Sequence, residues 1–256
     1  MDRVRLLITK GTKEDAIDYA LRRNAVIGFT AFFLFALWGF WPSYFSRLSE
    51  QSNIRFHLHG LALTAWCVLL VAEASLMRTN QRRLHRKLGL LSYALVPLLA
   101  ATTLALVHFR MSGGSLPDIG FYQFALMFNA VVAFVVLYGL AMIFRHEPLV
   151  HARFMVCTIF PLFTPITDRL IYVHWPSLVT LAPALDGVPL VQVLGFVLAD
   201  ALLIALLAWD WLANRRFGAF AAALGVVVLY HASVLTLYHL EFWHAFTYWF
   251  RSLPLS

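Results

Sequence analysis

Apolar residues run through the chain in long blocks, separated by short polar stretches. Seven blocks reach the length of about 20 mainly apolar residues that a helix needs to cross a bilayer. They cover residues 25–45, 56–77, 88–109, 121–144, 151–174, 189–212 and 219–243. In lipid each backbone polar group has to be satisfied within its own segment, so every block is predicted to be helical. The connections are short, so residues 25–256 read as one domain, an all-α polytopic bundle of about seven transmembrane helices. Residues 1–24 differ in kind, mixing Arg3, Arg5, Lys10, Lys13, Arg22 and Arg23 with Glu14, Asp15 and Asp18. They lack the apolar stretch of a secretory signal and predict a short amphipathic helix on the membrane surface.

Composition sharpens this picture. Of the 256 residues, 61% are hydrophobic and 13% charged, whereas a soluble domain is near half apolar and a quarter charged. An ordinary soluble enzyme, a disordered chain and a nucleic-acid module are all excluded, and the first partner is the lipid bilayer. Cys67 and Cys157 both fall within apolar blocks, which excludes a disulfide framework. The abundant Phe, Tyr and Trp suit lipid-facing helices with interfacial belts.

The net charge of +7 is a matter of orientation and not of nucleic acid. The N-terminal segment and the stretches 78–87, 145–153 and 215–216 hold fifteen basic residues, against four (Arg47, Arg55, Arg110, Arg251) on the opposite side. Arg169 lies within a block. Basic loops stay in the cytoplasm, so the N-terminus, with residues 1–24, is expected inside and the C-terminus outside. The loop 174–189 carries Pro176, Pro183 and Pro189, and its dipping back into the membrane would change the span count.

Ionisable residues inside apolar blocks are costly and therefore carry the chemical information. His85, His146 and His151 fall at the inner ends of spans, and His57, His59, His108, His174, His239 and His244 near the outer surface. His231 and Asp200 fall about midway along their spans, and Asp168 and Arg169 a turn or two inside the outer end of the fifth. His57 and His59 are two residues apart, so they point about 200° away from each other, and only one faces the bundle. His59, Trp66 and Glu73 recur at the seven-residue spacing of one helix face, which selects His59. Glu73 has Arg78 and Arg83 as nearby structural partners. Asp168 and Arg169 diverge by about 100°, so each needs a partner on another helix, with Asp200, Asn129 and His231 at suitable depth.

Three chemistries use several histidines in a helical bundle. A b-type haem takes two imidazoles from facing helices. A Zn, Cu or Fe site takes His and carboxylate with an open position. Simple proton handling uses the near-neutral titration of imidazole. No HExxH motif and no closely spaced pair suited to one metal occurs, which leaves haem open because its ligands need no local motif.

Three stretches carry a resemblance: "FHLHGLALTAW" at His59, "RRLHRKLG" at His85 and "HARFMVCTIFPLFTPITDRL" at His151. Together they resemble an uncharacterised family of bacterial inner-membrane proteins with HG…TAW, LHRxLG and HxRxM blocks. More distantly, the layout is similar to the cytochrome b561 group, in which successive helices begin with haem-ligating histidines. The fourth span, opening "GFYQFALMF", lacks a histidine, so this resemblance implies a single haem b held by His85 and His151. Arg86 and Arg153 would meet its anionic propionates. The function then expected is quinone-linked electron transfer across a bacterial inner membrane. A second pocket, for quinone or a redox group, would lie in the outer half near His59, His108, Asp168 and Arg169, with His59, Asp168 or His231 taking protons. One rival is an intramembrane metalloenzyme drawing on His59, His108, His174, His239 and Asp200. The other is an accessory subunit that packs against other membrane subunits.

Overall fold

A computed structural model describes residues 16–112 and 116–255. Among these residues seven helical spans are long and apolar enough to cross a membrane. The first is α1 (Ala16–Phe40) and the second α2 (Ile54–Arg78). The third joins α3 (Arg82–Gly89) to α4 (Ser92–Met111), and the fourth is α5 (Asp118–Ile143). The fifth joins α6 (Pro148–Cys157) to α7 (Phe163–His174), and the last two are α8 (Gln192–Asn214) and α9 (Gly218–Leu237). A further helix, α10 (Glu241–Ser252), follows the spans. The seven expected blocks are therefore present, as an all-α bundle whose faces carry exposed Leu34, Leu61, Ile143 and Leu229 toward lipid.

Local chemistry sets the helix ends. The Asn53 side chain accepts from the Arg55 N–H at 3.0 Å and caps α2. Pro148 opens α6, where its missing N–H costs nothing. Arg215 turns left-handed (φ 51°) and closes α8.

Four boundaries differ from expectation. The N-terminal amphipathic segment is expected over residues 1–24, but residues 16–24 belong to α1; residues 1–15 lie outside the described residues. The fifth span is not one helix. It breaks after Cys157, passes through a 3₁₀ turn at Phe160–Leu162 and restarts at Phe163. Pro161 and Pro165 explain the break, because each removes a backbone donor and crowds the preceding turn. The 174–189 loop forms a 3₁₀ turn (Pro176–Leu181) and a two-residue hairpin, β1 (Ala184–Leu185) with β2 (Val188–Pro189). Asp186 and Gly187 both take positive φ (51° and 77°), as the tight hairpin turn requires. The Asp186 carboxylate then accepts from the Ile119 N–H at 3.2 Å, securing the hairpin to the start of α5. Finally, the seventh span stops at Leu237, and the residues beyond it form α10 as a separate amphipathic helix. Trp243, Thr247 and Phe250 of α10 are buried, and Phe242, Tyr248 and Trp249 exposed.

The spans pack as a ring of six around the fifth. α1 meets α2, α2 meets α4, α4 meets α5, α5 meets α9, α9 meets α8, and α8 returns to α1. More than half of the fifth span is buried, against a third or less of every other span. Its inner part is gripped by α5, α8 and α9 through Leu137, Phe154, Leu203 and Phe220. Trp66, Leu99 and Phe134 form a second core between α2, α4 and α5. The fifth span packs chiefly on α1, α5, α8 and α9, and the bundle opens on its α2–α4 side.

Candidate functional site

That opening is a cavity of about 420 Å³ at the end of the bundle that carries the α1–α2 and α4–α5 connections. Its deep walls are apolar, with Phe32 and Ala36 of α1, Leu99 of α4 and Phe134 of α5. Its polar residues include His59 on α2, Arg110 on α4, Gln123 on α5, Asp168 and Arg169 on α7, and Gln192 on α8. The broken span supplies Pro161, Leu162, Thr164 and Pro165 as one wall, so the proline break shapes the cavity.

His59 is the histidine of the 57/59 pair that faces inward, as the seven-residue spacing indicated. Its Nδ1 lies 3.2 Å from Thr103 Oγ1 on α4. Asp168 Oδ2 accepts from Gln192 Nε2 at 3.3 Å, while the buried Oδ1 has no donor. Arg169 donates from NH1 to the Pro165 carbonyl at 2.7 Å, and its guanidinium sits 4.3 Å from the centre of the Phe40 ring. Each member of the Asp168–Arg169 dipeptide thus finds a partner on another helix, but neither partner is Asp200, Asn129 or His231. Asn129 instead donates to Ser233 at 2.8 Å.

His57 faces away from the cavity and holds its edge in place. Its Nδ1 is 3.2 Å from the Tyr44 hydroxyl and its Nε2 2.8 Å from the Gln51 carbonyl, and both of those residues line the cavity. Tyr44 packs against Gly60, where any Cβ would come within 2.8 Å of the ring. Burial pushes the Tyr44 phenol up from its ordinary value.

The residues expected to hold a metal do not come together. His108 is buried between α4 and α10, with Nε2 3.2 Å from the Arg251 carbonyl and its ring edge-on to Phe250. His174 packs between Trp38 and Trp175 at an exposed helix end, and His239 lies exposed against Tyr238. Asp200 pairs with His231 across α8 and α9, at 3.0 Å from Nδ1, and the imidazole stacks on Phe196. Among the described residues no group of three or more His, Cys, Asp or Glu side chains is placed to hold a metal ion. His231 is also removed from the cavity lining, so it does not join Asp168 and Arg169. The metal set expected from depth alone is not brought together, because helices of similar depth face different neighbours.

The opposite end of the bundle holds the residues expected to bind haem. His85 Nδ1 contacts the Glu73 carboxylate, so Glu73 pairs with His85 and not with Arg78 or Arg83. His151 Nδ1 is 2.8 Å from the Ala141 carbonyl. Both rings have Nδ1 engaged, as axial ligands do. The rest of the set does not fit. The ring of His85 lies against a carboxylate where a macrocycle needs an apolar slot, Arg86 is exposed, and Arg153 is held elsewhere. Arg153 is buried and bonded to Asp210 of α8, Nε to Oδ2 at 2.8 Å and NH2 to Oδ1 at 2.9 Å. Its assignment to a propionate is corrected, because a guanidinium fork already filled by a buried carboxylate positions helices.

Asp210, Arg110, Gln123, Gln192, Thr103 and Tyr44 carry no site assignment from the sequence. Asp210 was open to discovery, since an acid within an apolar block needs a partner. Thr103 and Tyr44 carry no such signal.

No protein-family model, no curated protein and no solved structure matches the chain. The fold is therefore described as a multi-pass helical membrane bundle, and its chemistry rests on the site itself.

Proposed function

We propose that the protein is a quinone-linked membrane protein of electron transfer, and that the cavity at His59, Asp168 and Arg169 holds the quinone ring. One observation carries this reading. A cavity of about 420 Å³ inside a lipid-embedded bundle joins apolar deep walls to hydrogen-bonding groups at one end. Apolar pockets with a few convergent polar groups are the ordinary form of small-molecule sites. A membrane-soluble ring with a polar edge matches both halves. The fifteen-to-four bias in basic residues supports an N-terminus inside and, with it, a cavity in the outer half, and the resemblance to bacterial inner-membrane proteins supports that membrane. His59 and Asp168 are the groups to exchange protons with the ring, since both carry a proton-accepting atom and line the cavity. No step is derived through a haem, because the His85 and His151 surroundings do not fit one.

The test is extraction of the protein purified from its native membrane, followed by mass spectrometry of the bound lipids. A quinone near one per chain, lost in His59→Ala, is expected. A wild-type protein that carries no quinone and does not bind a short-chain analogue overturns the reading.

A further inference from the structure

The direction of the hydrogen bonds around the cavity identifies which redox form it is built for. A hydroxyl has one proton to give. Thr103 donates its proton to the Leu99 carbonyl at 2.6 Å. Its oxygen can therefore only accept from His59 at 3.2 Å, which puts the proton of a neutral His59 on Nδ1 and leaves Nε2 as a lone-pair acceptor. Among the described residues no protein donor meets that nitrogen. Two other hydroxyls in the wall are committed in the same way, while the buried Thr164 hydroxyl has no hydrogen-bond partner among the described residues. Thr64 donates to the Gly60 carbonyl at 2.7 Å and Tyr230 to the Leu126 carbonyl at 3.3 Å. Asp168 also lines this space, and its buried Oδ1 has no donor among the described residues. Donors lining the same space include Arg110, Arg169, Gln123 and Gln192.

We infer that the site selects the dihydroxy form, the quinol, over the oxidised quinone. This rests on the quinone-type reading of the cavity. A quinol hydroxyl donates to His59 Nε2 or Asp168 and accepts from a guanidinium or amide at the same time. A quinone carbonyl only accepts, so it leaves the two acceptors unpaired, and a buried polar group left unpaired is penalised more heavily than a formed bond rewards. Thr103 acts through His59 and is a positioning residue: it fixes the tautomer.

The test uses the full-length protein in lipid nanodiscs, titrated anaerobically with decyl-quinone and separately with its pre-reduced quinol. The quinol is expected to bind at least tenfold more tightly. Thr103→Val, which removes the acceptor for Nδ1–H, is expected to reduce that ratio to near one. Thr103→Ser keeps the acceptor and is expected to keep the ratio, and Asp168→Asn, a second route, is expected to reduce it. Equal affinity for the two forms in the wild type, or tighter binding of the quinone, overturns the inference and leaves the cavity reading standing. Failure of both forms to bind overturns the two together.

Discussion

Asp210 of α8 holds Arg153 of α6 with two hydrogen bonds of 2.8 and 2.9 Å, with both side chains all but sealed from solvent. The pair ties the central span to the ring near the end where α8 turns into α9. Phe220 of α9 completes the enclosure, its ring centre 5.8 Å from the guanidinium carbon. Removing either partner strands a buried charge. Arg153→Ala and Asp210→Ala are each expected to lower stability by about 3–5 kcal/mol, while Arg153→Met with Asp210→Leu recovers much of the loss. Denaturant titration in mild detergent reads the difference. Equal loss in the single and paired variants would show that shape, and not charge, governs the contact.

Gly60 and Tyr44 give a second prediction. Gly60→Ala pushes a methyl group into the Tyr44 ring and is expected to weaken quinol binding severalfold by shifting the cavity edge. Gly139→Ala is the matched control, because a Cβ there meets nothing within 4 Å. That control is expected to leave binding unchanged and to stabilise α5 by up to about 1 kcal/mol, the difference in helix propensity. Calorimetric titration of both variants separates the two effects.

His108 docks α10 through one imidazole-to-carbonyl bond and an edge-on ring contact with Phe250. His108→Ala is expected to weaken that docking by about 1–3 kcal/mol, the range for a bond lost at a buried site. Faster amide hydrogen exchange over residues 241–252, with the seven spans unchanged, is the result to look for. Unchanged exchange would mean that Trp243 and Phe250 hold the helix alone.

The Asp200–His231 pair predicts coupling between α8 and α9. Alanine at either position is expected to cost about 1–3 kcal/mol, and the double variant less than the sum, by a double-mutant cycle. Strict additivity would assign each residue its own independent packing role.

The fold was legible to the degree that lipid imposes it. The requirement that each span satisfy its own backbone makes runs of apolar residues into helices, so all seven spans follow from residue type alone. Breaks within a span were not read, although Pro161 and Pro165 signal one, because the surrounding apolar run hides it. The Asp-Gly turn at 186–187 was equally readable as a hairpin.

The site divided more sharply. His59 was chosen as the inward histidine by the spacing of His59, Trp66 and Glu73, and it lines the cavity together with Asp168 and Arg169. That much depends on rotation about a single helix axis and on depth, both of which sequence spacing encodes. Which residue of another helix stands opposite does not. Asp200 and His231, Glu73 and His85, and Arg153 and Asp210 each became pairs only when the ring of helices closed around the broken span. The expected metal set is dispersed and Arg153 is engaged by Asp210 for the same reason, since residues equal in depth turn to different neighbours. What the chain determines by itself is how many helices cross and which face of each is polar, because lipid enforces those choices segment by segment. Which polar faces meet, and where a cavity is left between them, is decided by packing around the proline break, a property of all seven spans together.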